Sequence, residues 1–332
     1  MEGVSLDAAM ALAIDLAASA RRVAPPTPWV GAVLVNDDGV VVGRGATRAP
    51  GDAHAEVVAL ADASDQARGS TLFVTLEPCC HVGRTGPCVD AILAAGVKQV
   101  YVAVLDPDPR VAGRGVARLR EAGVDVIVGL GDAAVREQLA AYLWHRSTGR
   151  PYVIAKVAAT LDGRVAMTDA SSQWITGPDA RRDGHELRAD SDVIVVGAGT
   201  VRSDNPQLTA RLDGVVRHPR RVVLGAIPPG AACEPAESYV GDLEPLLTRL
   251  GQEHAVQVLV EGGPRTVASF VEQGLVNRLV WYVAPALAGS TGGRGALDGL
   301  STPTIAALRR GRFVAIRQIG EDVRLDLEVP CP

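Results

Sequence analysis

The spacing of apolar and polar residues predicts alternating helices and strands in the first half of the chain. Apolar residues recur at helical spacing over about 5–21, and two short apolar runs at 29–36 and 40–45 are joined by the turn Asp37-Asp38-Gly39. The same kind of spacing predicts strands at 70–76, 100–105 and 124–129, and helices at 54–63, 88–95, 113–122 and 132–146. A hairpin followed by strand–helix alternation predicts an α/β domain with three layers and a mixed sheet.

A cluster of turn-forming residues near the middle of the chain separates this pattern from a second one. Residues 147–151, Ser-Thr-Gly-Arg-Pro, follow the last predicted helix of the first half, and an apolar strand begins at Tyr152. Strands are predicted in this half at 152–157, 193–196, 221–224, 256–260 and 279–283, with helices between them. We therefore predict two consecutive α/β domains, residues 1–147 and residues 151–330.

Composition and charge narrow the classes of function. A chain of 332 residues with 47% apolar and 4% aromatic residues can form two domains whose cores are packed from Ala, Val and Leu side chains. Its 33 basic and 38 acidic residues give a formal charge of −5, which argues against nucleic-acid or anionic-membrane partners. Asp7 and Asp15 interrupt the N-terminal apolar run, which predicts an amphipathic helix and not a signal peptide. No run of about 18 uninterrupted apolar residues occurs, so no membrane span is predicted. We expect a cytoplasmic protein.

Two short segments carry side chains that bind zinc. His54 and Glu56 lie at the start of a predicted helix, Cys79 follows a predicted strand, and Cys88 begins the next helix. One imidazole and two thiolates provide three ligands and leave a fourth position for water, which is typical of catalytic zinc. Glu56 can reach that water without being a ligand, as in zinc-dependent deaminases. We interpret the adjacent Cys80 as a packing thiol.

The order of motifs along the whole chain resembles that of the bifunctional deaminase–reductases of riboflavin biosynthesis. In the first half, the resemblance rests on HAEVVAL (54–60), VTLEPCCHVGRTGPC (74–88) and DPDPRVAGRG (106–115). In the second half, it rests on KVAATLDGRVA (156–166), SSQWITG (171–177), ARRDGHELRADSD (180–192), VGAGTVRSDNPQLTAR (196–211) and EGGP (261–264). The loop between Cys79 and Cys88 also matches the length of the family's loop.

This resemblance implies a cytidine-deaminase-like three-layer α/β/α domain followed by a dihydrofolate-reductase-like α/β domain. The first would use Zn2+ to hydrolyse the 2-amino group of a diaminopyrimidinone ribosylamine phosphate, and the second would use NADPH to reduce the ribose to a ribityl chain. In the deaminase, the resemblance implies the zinc ligands His54, Cys79 and Cys88, the proton shuttle Glu56, and the pyrimidine-side residues His81 and Asp106. In the reductase, it implies the substrate residues Ser172, Arg188, Leu208, Arg211 and Glu261, and the cofactor residues Trp174, Thr200, Asp204, Gly262 and Gly263.

The chemistry of the side chains agrees with part of these reductase assignments. Arg188 and Arg211 can hold a phosphate through paired N–H donors. The turns Gly197-Ala198-Gly199 and Gly262-Gly263 follow predicted strands, and glycine there lets a ligand approach the backbone closely.

Three positions in the deaminase half depart from the family's pattern. The family usually has Asn where this chain has Thr27, His where it has Thr47, and Asn where it has Asp108. Because these positions would hold the substrate, a paralogue acting on a different aminopyrimidine is one alternative. A non-catalytic, zinc-stabilised binding protein is a second alternative, against which Glu56 argues. We also expect a homo-oligomer, because exposed strand edges of dihydrofolate-reductase-like domains often pair.

Overall fold

The computed structural model describes residues 3–83, 85–169, 171–213, 218–289 and 293–329. The chain forms two compact units, Met1–Gly149 and Arg150–Pro332. Each unit has one main β-sheet in contact with helices. None of the helices in the described part of the chain is both long enough and apolar enough to span a membrane.

The first unit has a five-stranded mixed sheet. Its strands are β1 Gly31–Val35, β2 Val41–Ala46, β3 Thr71–Leu76, β4 Gln99–Val104 and β5 Asp125–Val128. Its helices are α1 Leu6–Ala20, α2 Ala55–Ala63, α3 Cys88–Ala95, α4 Arg114–Glu121, α5 Asp132–Gln138 and α6 Ala140–Thr148. The sheet order is β2-β1-β3-β4-β5, in which β1 is antiparallel to both neighbours and β3, β4 and β5 are parallel. The predicted mixed sheet is confirmed.

Helices α1 and α2 lie on opposite faces of this sheet. Gly31 faces α1, since a Cβ there would lie 1.8 Å from the Ala13 carbonyl oxygen. Gly45 faces α2, since a Cβ there would lie 2.1 Å from the Ala55 carbonyl oxygen. Gly45 pairs with Ala32, the neighbour of Gly31, and successive residues of a strand point to opposite faces. The sheet therefore forms the middle of three layers.

One helix predicted from the sequence is divided in two. A single helix was expected at 132–146, but α5 ends at Gln138 and α6 begins at Ala140. Leu139 between them has φ −95° and ψ 11°, which lies outside the α-helical range, and its side chain is fully buried. The backbone leaves the helical conformation at Leu139 while this side chain stays in the core, so the apolar spacing alone does not reveal the break.

The second unit has an eight-stranded main sheet and a small two-stranded one. Its strands are β6 Tyr152–Thr160, β7 Arg164–Ala166, β8 Val193–Gly197, β9 Arg220–Leu224, β10 Glu237–Tyr239, β11 Gln257–Val260, β12 Arg278–Ala284, β13 Arg294–Gly295, β14 Arg312–Ile319 and β15 Asp322–Glu328. Its helices are α7 Pro178–Ala189, α8 Ala198–Asp204, α9 Leu243–Gln252 and α10 Pro264–Glu272. The main sheet has the order β10-β9-β8-β11-β6-β12-β15-β14, and β7 pairs with β13.

The hairpin of β14 and β15 has no counterpart among the predicted strands. The buried positions of β15 carry Asp322, Arg324 and Asp326, each at most 8% exposed. Arg324 Nη2 lies 2.6 Å from Asp326 Oδ1, and its Nη1 lies 2.7 Å from Asp183 Oδ2. These ion pairs stabilise charges at strand positions that are usually apolar. Hydrophobic periodicity therefore does not predict β15.

Candidate active sites

The first candidate site lies where the starts of α2 and α3 meet the segment after β3. His54 precedes α2, Cys79 follows the end of β3 by three residues, and Cys88 is the first residue of α3. Their ligand atoms all lie within 4.8 Å of one another. His54 Nδ1 is 3.2 Å from Cys88 Sγ and 3.6 Å from Cys79 Sγ. The structure therefore brings the three predicted ligands together.

The geometry and chemistry of these three side chains fit zinc. Ligand atoms bonded to one tetrahedral zinc ion at about 2.1–2.3 Å stand about 3.6 Å apart. A hydrogen bond from the Cys88 side chain holds the pKa of the Cys79 thiol well below its usual range, which favours the thiolate form that binds zinc. The hydrogen bond between His54 and Cys79 raises the pKa of His54. One imidazole and two thiols are donors that zinc prefers, and three of them leave one coordination position for water.

Glu56 lies beside this cluster, in the first turn of α2. Its side chain is 4% exposed and hydrogen-bonds the Cys88 side chain. Burial raises the pKa of Glu56 to about 7, and the charge of Cys79 acts in the same direction. A carboxyl group with a pKa near neutrality can both accept and donate a proton.

The two predicted pyrimidine-side residues have different surroundings. His81 Nδ1 is buried and has no hydrogen-bond partner among the described residues, which is unusual for a buried polar atom. Asp106 lies just after β4 and is 6% exposed. Its carboxylate accepts the Tyr142 hydroxyl at 3.1 Å and the Asp108 backbone N–H at 2.9 Å. Burial raises the pKa of Asp106 to about 6.

Two of the three positions that depart from the family's pattern have partners within the first unit. Thr47 is buried, and its hydroxyl oxygen accepts the Val30 backbone N–H at 3.1 Å. Asp108 accepts two hydrogen bonds from the Arg110 guanidinium, from Nε at 3.0 Å and from Nη2 at 2.7 Å. Thr27 is half-buried in the turn before β1. The polar groups of Thr47 and Asp108 are therefore satisfied by neighbouring residues.

The second candidate site lies at the carboxyl ends of β8 and β11, which are neighbouring parallel strands. The turn Glu261-Gly262-Gly263 follows β11, and Thr200 lies in α8 directly after β8. Thr200 Oγ1 accepts the Gly263 N–H at 2.8 Å. A Cβ at Gly262 would lie 2.6 Å from the Thr266 side chain, so the turn packs too closely for a larger residue. In open α/β sheets, ligands bind at this end of the strands.

An ion-pair cluster adjoins this turn. Arg188 in α7 donates two hydrogen bonds to Glu261, from Nε at 2.6 Å and from Nη2 at 2.9 Å. Lys156 Nζ in β6 lies 3.7 Å from Glu261 Oε1. Burial acts to raise the pKa of Glu261, but the charges of Arg188 and Lys156 hold it below its usual range. The paired donors of Arg188, which we expected to hold a phosphate, are occupied by Glu261 because buried opposite charges pair.

Helix α7 also holds the loop that carries two further predicted substrate residues. Leu208 is buried with φ 54°, and Arg211 is exposed. The Thr209 carbonyl oxygen accepts Arg188 Nη1 at 3.2 Å. His185 Nδ1 lies 3.2 Å from the Arg211 backbone nitrogen and 3.1 Å from the Thr209 carbonyl oxygen. These contacts bring the loop beside the ion-pair cluster.

Three predicted residues of the second site lie outside that cluster. Ser172 and Trp174 belong to the segment before α7, and Asp204 is the exposed last residue of α8. Trp174 is 67% exposed, and its ring centroid lies 4.7 Å from the guanidinium carbon of Arg181. Within the described ranges, no hydrogen bond connects these three residues with the ion-pair cluster.

Three residues with contacts in the two sites were not among the predicted site residues: Lys156, His185 and Glu77. Lys156 is a charged residue in an otherwise apolar strand, and His185 precedes Arg188 by three residues on one helix face. Both features are visible in the sequence and could have indicated site residues. Glu77 belongs to the motif that contains Cys79, but no local pattern indicates its partners, which are backbone groups far along the chain.

Two family models match the chain. The cytidine and deoxycytidylate deaminase zinc-binding region matches residues 4–104, which include His54, Cys79 and Cys88. The RibD C-terminal domain matches residues 151–227 and 235–325, and this reductase domain uses NADPH. The predicted cofactors, zinc and NADPH, are therefore confirmed for the two halves.

Curated relatives and solved structures match nearly the whole chain. The riboflavin biosynthesis protein RibD of Mycobacterium tuberculosis is 41% identical, with 97% of each chain covered. That of Escherichia coli is 38% identical, with 96% of this chain and 98% of the other covered. A structure of Acinetobacter baumannii RibD is 36% identical, with 98% of each chain covered and a TM-score of 0.90.

A Thermotoga maritima structure carries the descriptive name diaminohydroxyphosphoribosylaminopyrimidine deaminase/5-amino-6-(5-phosphoribosylamino)uracil reductase. It is 31% identical, with 98% of each chain covered and a TM-score of 0.87. Both halves and their order agree with these relatives, and the expected cytidine-deaminase-like and dihydrofolate-reductase-like folds are confirmed. The chain belongs to the RibD family, the bifunctional deaminase–reductases of riboflavin biosynthesis.

Proposed function

We propose that this chain catalyses two consecutive reactions on a phosphorylated aminopyrimidine. The first unit hydrolyses the 2-amino group of 2,5-diamino-6-ribosylamino-4(3H)-pyrimidinone 5′-phosphate. The second unit reduces the ribosyl chain of the product to a ribityl chain with NADPH. The observation that carries this proposal is the zinc-ligand cluster with Glu56 beside it, in one chain with the Arg188–Glu261 pair at the strand ends of a reductase fold.

In the deaminase, different residues of the first candidate site bind zinc, transfer protons and bind the pyrimidine. Zinc, held by the three ligands described above, would supply a Lewis acid that activates water for attack. Glu56 takes a proton from the attacking water and gives one to the leaving amine, because its buried carboxyl lies beside the ligands. His81 and Asp106 bind the pyrimidine, and the buried, unpartnered Nδ1 of His81 supports this role.

In the reductase, the loop after α8 and the turn after β11 hold substrate and cofactor. Arg188 has five N–H groups and uses three of them on Glu261 and Thr209. Its remaining donors and the exposed Arg211 would bind the phosphate. Leu208 and Ser172 complete the substrate side of this proposal.

The cofactor side of the proposal rests on the position of the Gly262-Gly263 turn. Thr200 holds this turn at the carboxyl ends of the strands, where ligands bind in open α/β sheets. Trp174 and Asp204 are the other proposed cofactor contacts, and their exposure leaves them accessible to a ligand.

The direct test is to incubate the purified chain with the diaminopyrimidinone phosphate, with and without NADPH. We expect ammonia release in both reactions, and NADPH oxidation with formation of the ribityl product only when NADPH is present. Absence of ammonia release from a chain that contains about one zinc ion would contradict the proposed substrate.

We also propose that the chain forms a homo-oligomer through its second unit. Strand β14 is at the edge of the main sheet, where Phe313 is 55% and Ile316 is 62% exposed. An edge strand offers unpaired N–H and C=O groups to a second copy. Light scattering should report an oligomer for the native chain and a smaller species for Ile316→Lys. An unchanged mass would place the contact elsewhere.

A cytoplasmic location is the last part of this proposal. Cys79 and Cys88 must stay reduced to bind zinc, and the cytoplasm keeps thiols reduced. Fractionation of the source cells, with antibody detection of the chain, tests this location.

A further inference from the structure

Glu77 connects two parts of the deaminase site. It directly follows β3, precedes the zinc ligand Cys79 by two residues, and is 3% exposed. Its carboxylate accepts three backbone N–H groups: Oε2 from Asp106 at 3.2 Å and Gly113 at 2.9 Å, and Oε1 from Val116 at 3.1 Å. None of the roles assigned above uses this carboxylate.

Two of these hydrogen bonds cap helix α4. Its N-cap residue is Gly113, which has no side chain to accept the free N–H groups of the first turn. Glu77 accepts the N–H of Gly113 and of Val116, the two donors that N-cap and N3 side chains satisfy in a capping box. A negative charge at a helix N-terminus is also favoured by the helix dipole. The segment that carries Cys79 therefore supplies the cap of α4.

The third hydrogen bond reaches the pyrimidine-side loop. The Asp106 N–H donates to the same oxygen that accepts from Gly113. The start of α4 is also packed closely against this segment, because a Cβ at Gly115 would lie 2.1 Å from the Pro78 carbonyl oxygen. The backbone of Asp106, the start of α4 and the Cys79 segment are thus held by one side chain.

We propose that Glu77 is a positioning residue for deamination, which sets the Asp106 loop at the correct distance from the zinc ligands. The inference rests on the proposed function, because it assumes that Asp106 contacts the pyrimidine. A cap that only stabilised α4 would lower the thermal stability when removed but would leave the KM for the pyrimidine unchanged.

The test compares Glu77→Gln with Glu121→Gln. Glutamine at position 77 keeps the size of the side chain, but its amide nitrogen cannot accept, so at least one backbone N–H faces another donor. Glu121 is the exposed last residue of α4, and the same change there is the matched control. Measurements are the kcat and KM of deamination, the zinc content, and reduction of supplied deaminated substrate by the same chain.

We expect Glu77→Gln to retain zinc and reductase activity while the deaminase KM rises about 5- to 30-fold, the effect of losing one or two kilocalories of contact energy. The effect of Glu77→Gln should be smaller in an Asp106→Asn background, because residues that act through one another are not additive. An unchanged KM, an additive double variant, or zinc loss parallel to the activity loss would each overturn the proposal.

Hydrogen exchange gives a readout that does not depend on the substrate. In Glu77→Gln, the backbone amides of residues 106–116 should exchange faster, while those of the second unit are unchanged. Unchanged exchange at 106–116 would overturn the inference. If the native chain failed to deaminate the pyrimidine, the proposed function would fail, and exchange would still report whether Glu77 holds the loop.

Discussion

Glu56 and Asp106 are two carboxyl groups that the first unit keeps away from water, although burial makes their charged forms costly. Glu56 is 4% and Asp106 is 6% exposed, and burial raises their pKa values to about 7 and about 6. Neutral side chains would be more stable at such positions. Glu56, a buried carboxyl with a raised pKa beside three metal-ligating side chains, therefore supports a catalytic site.

Glu56→Gln separates proton transfer from zinc binding. The substitution removes an exchangeable carboxyl proton and changes little volume, so zinc content should stay at about one ion per chain while deamination falls by about 10²- to 10⁴-fold. Ammonia release and elemental analysis measure the two effects, and reductase activity of the same sample is the control. A variant that kept a tenth or more of the deaminase rate would remove Glu56 from the proton-transfer role.

Asp106→Asn should make the first unit more stable at neutral pH. The pKa of Asp106 in the folded chain, about 6, is above the ordinary 3.8, so stability is present at low pH and is lost as the pH rises through about 4 to 6. Asparagine removes this loss and keeps an oxygen for the Asp108 N–H. We expect a gain of about 2–3 kcal/mol at pH 7.5, and almost none near pH 4.

Thermal unfolding at the two pH values measures this gain, and deaminase assays should show reduced activity. Asp15→Asn, the same change at an exposed position of α1, is the control. An Asp106→Asn variant that unfolds earlier than the native chain at pH 7.5, or a difference that does not vary with pH, would contradict the expected cost of burial.

At the scale of elements, the contact between β2 and α2 determines where His54 and Glu56 lie. A Cβ at Gly45 would lie 2.1 Å from the Ala55 carbonyl oxygen, which is backbone and cannot rotate away. Gly45→Ala must therefore displace the start of α2. We expect a loss of about 1–3 kcal/mol in unfolding free energy together with weaker zinc binding, measured by competition with a chelator.

Gly184→Ala is the matched control, for which we expect the unfolding free energy to rise instead of fall. Gly184 lies inside α7, and a Cβ there meets no atom within 4 Å in the part of the chain that the structure describes. Alanine is favoured over glycine in a helix by about 0.5–1 kcal/mol, so the second unit should gain stability without any change in zinc affinity. Equal effects of the two substitutions would show that the contact with α2 is unimportant.

At the scale of the whole molecule, each unit has its own sheet, its own core and its own candidate site. Units with separate cores respond nearly independently to mutation. Cys88→Ser should abolish deamination and leave reduction of supplied deaminated substrate, and Asp204→Ala should have the reverse effect. Both activities are measured on the same purified sample. Loss of both activities in one folded single variant would contradict this independence.

Local patterns in the sequence are enough to predict most of the zinc site and the order of the main elements. His54, Glu56, Cys79 and Cys88 were predicted correctly as neighbours, because their residue types and spacing form a metal-site motif that is visible in two short segments of the sequence. Helix α3 was predicted at its observed bounds because its helical period is also visible locally. Helical and strand periods depend on residues that are a few positions apart, so they can be recognised in the sequence before the fold is known.

The pairing of polar groups that are far apart in the sequence is visible only in the folded chain. The sequence contains no sign that Glu77 accepts the N–H groups of three residues at 106–116, or that Glu261 occupies the paired donors of Arg188. Strand β15 was missed because its buried positions carry charges whose partners are distant, as Arg324 is from Asp183. Burial of a charge is tolerated when an opposite charge or a hydrogen bond compensates for the lost hydration. The groups that provide this compensation are adjacent only after the chain has folded.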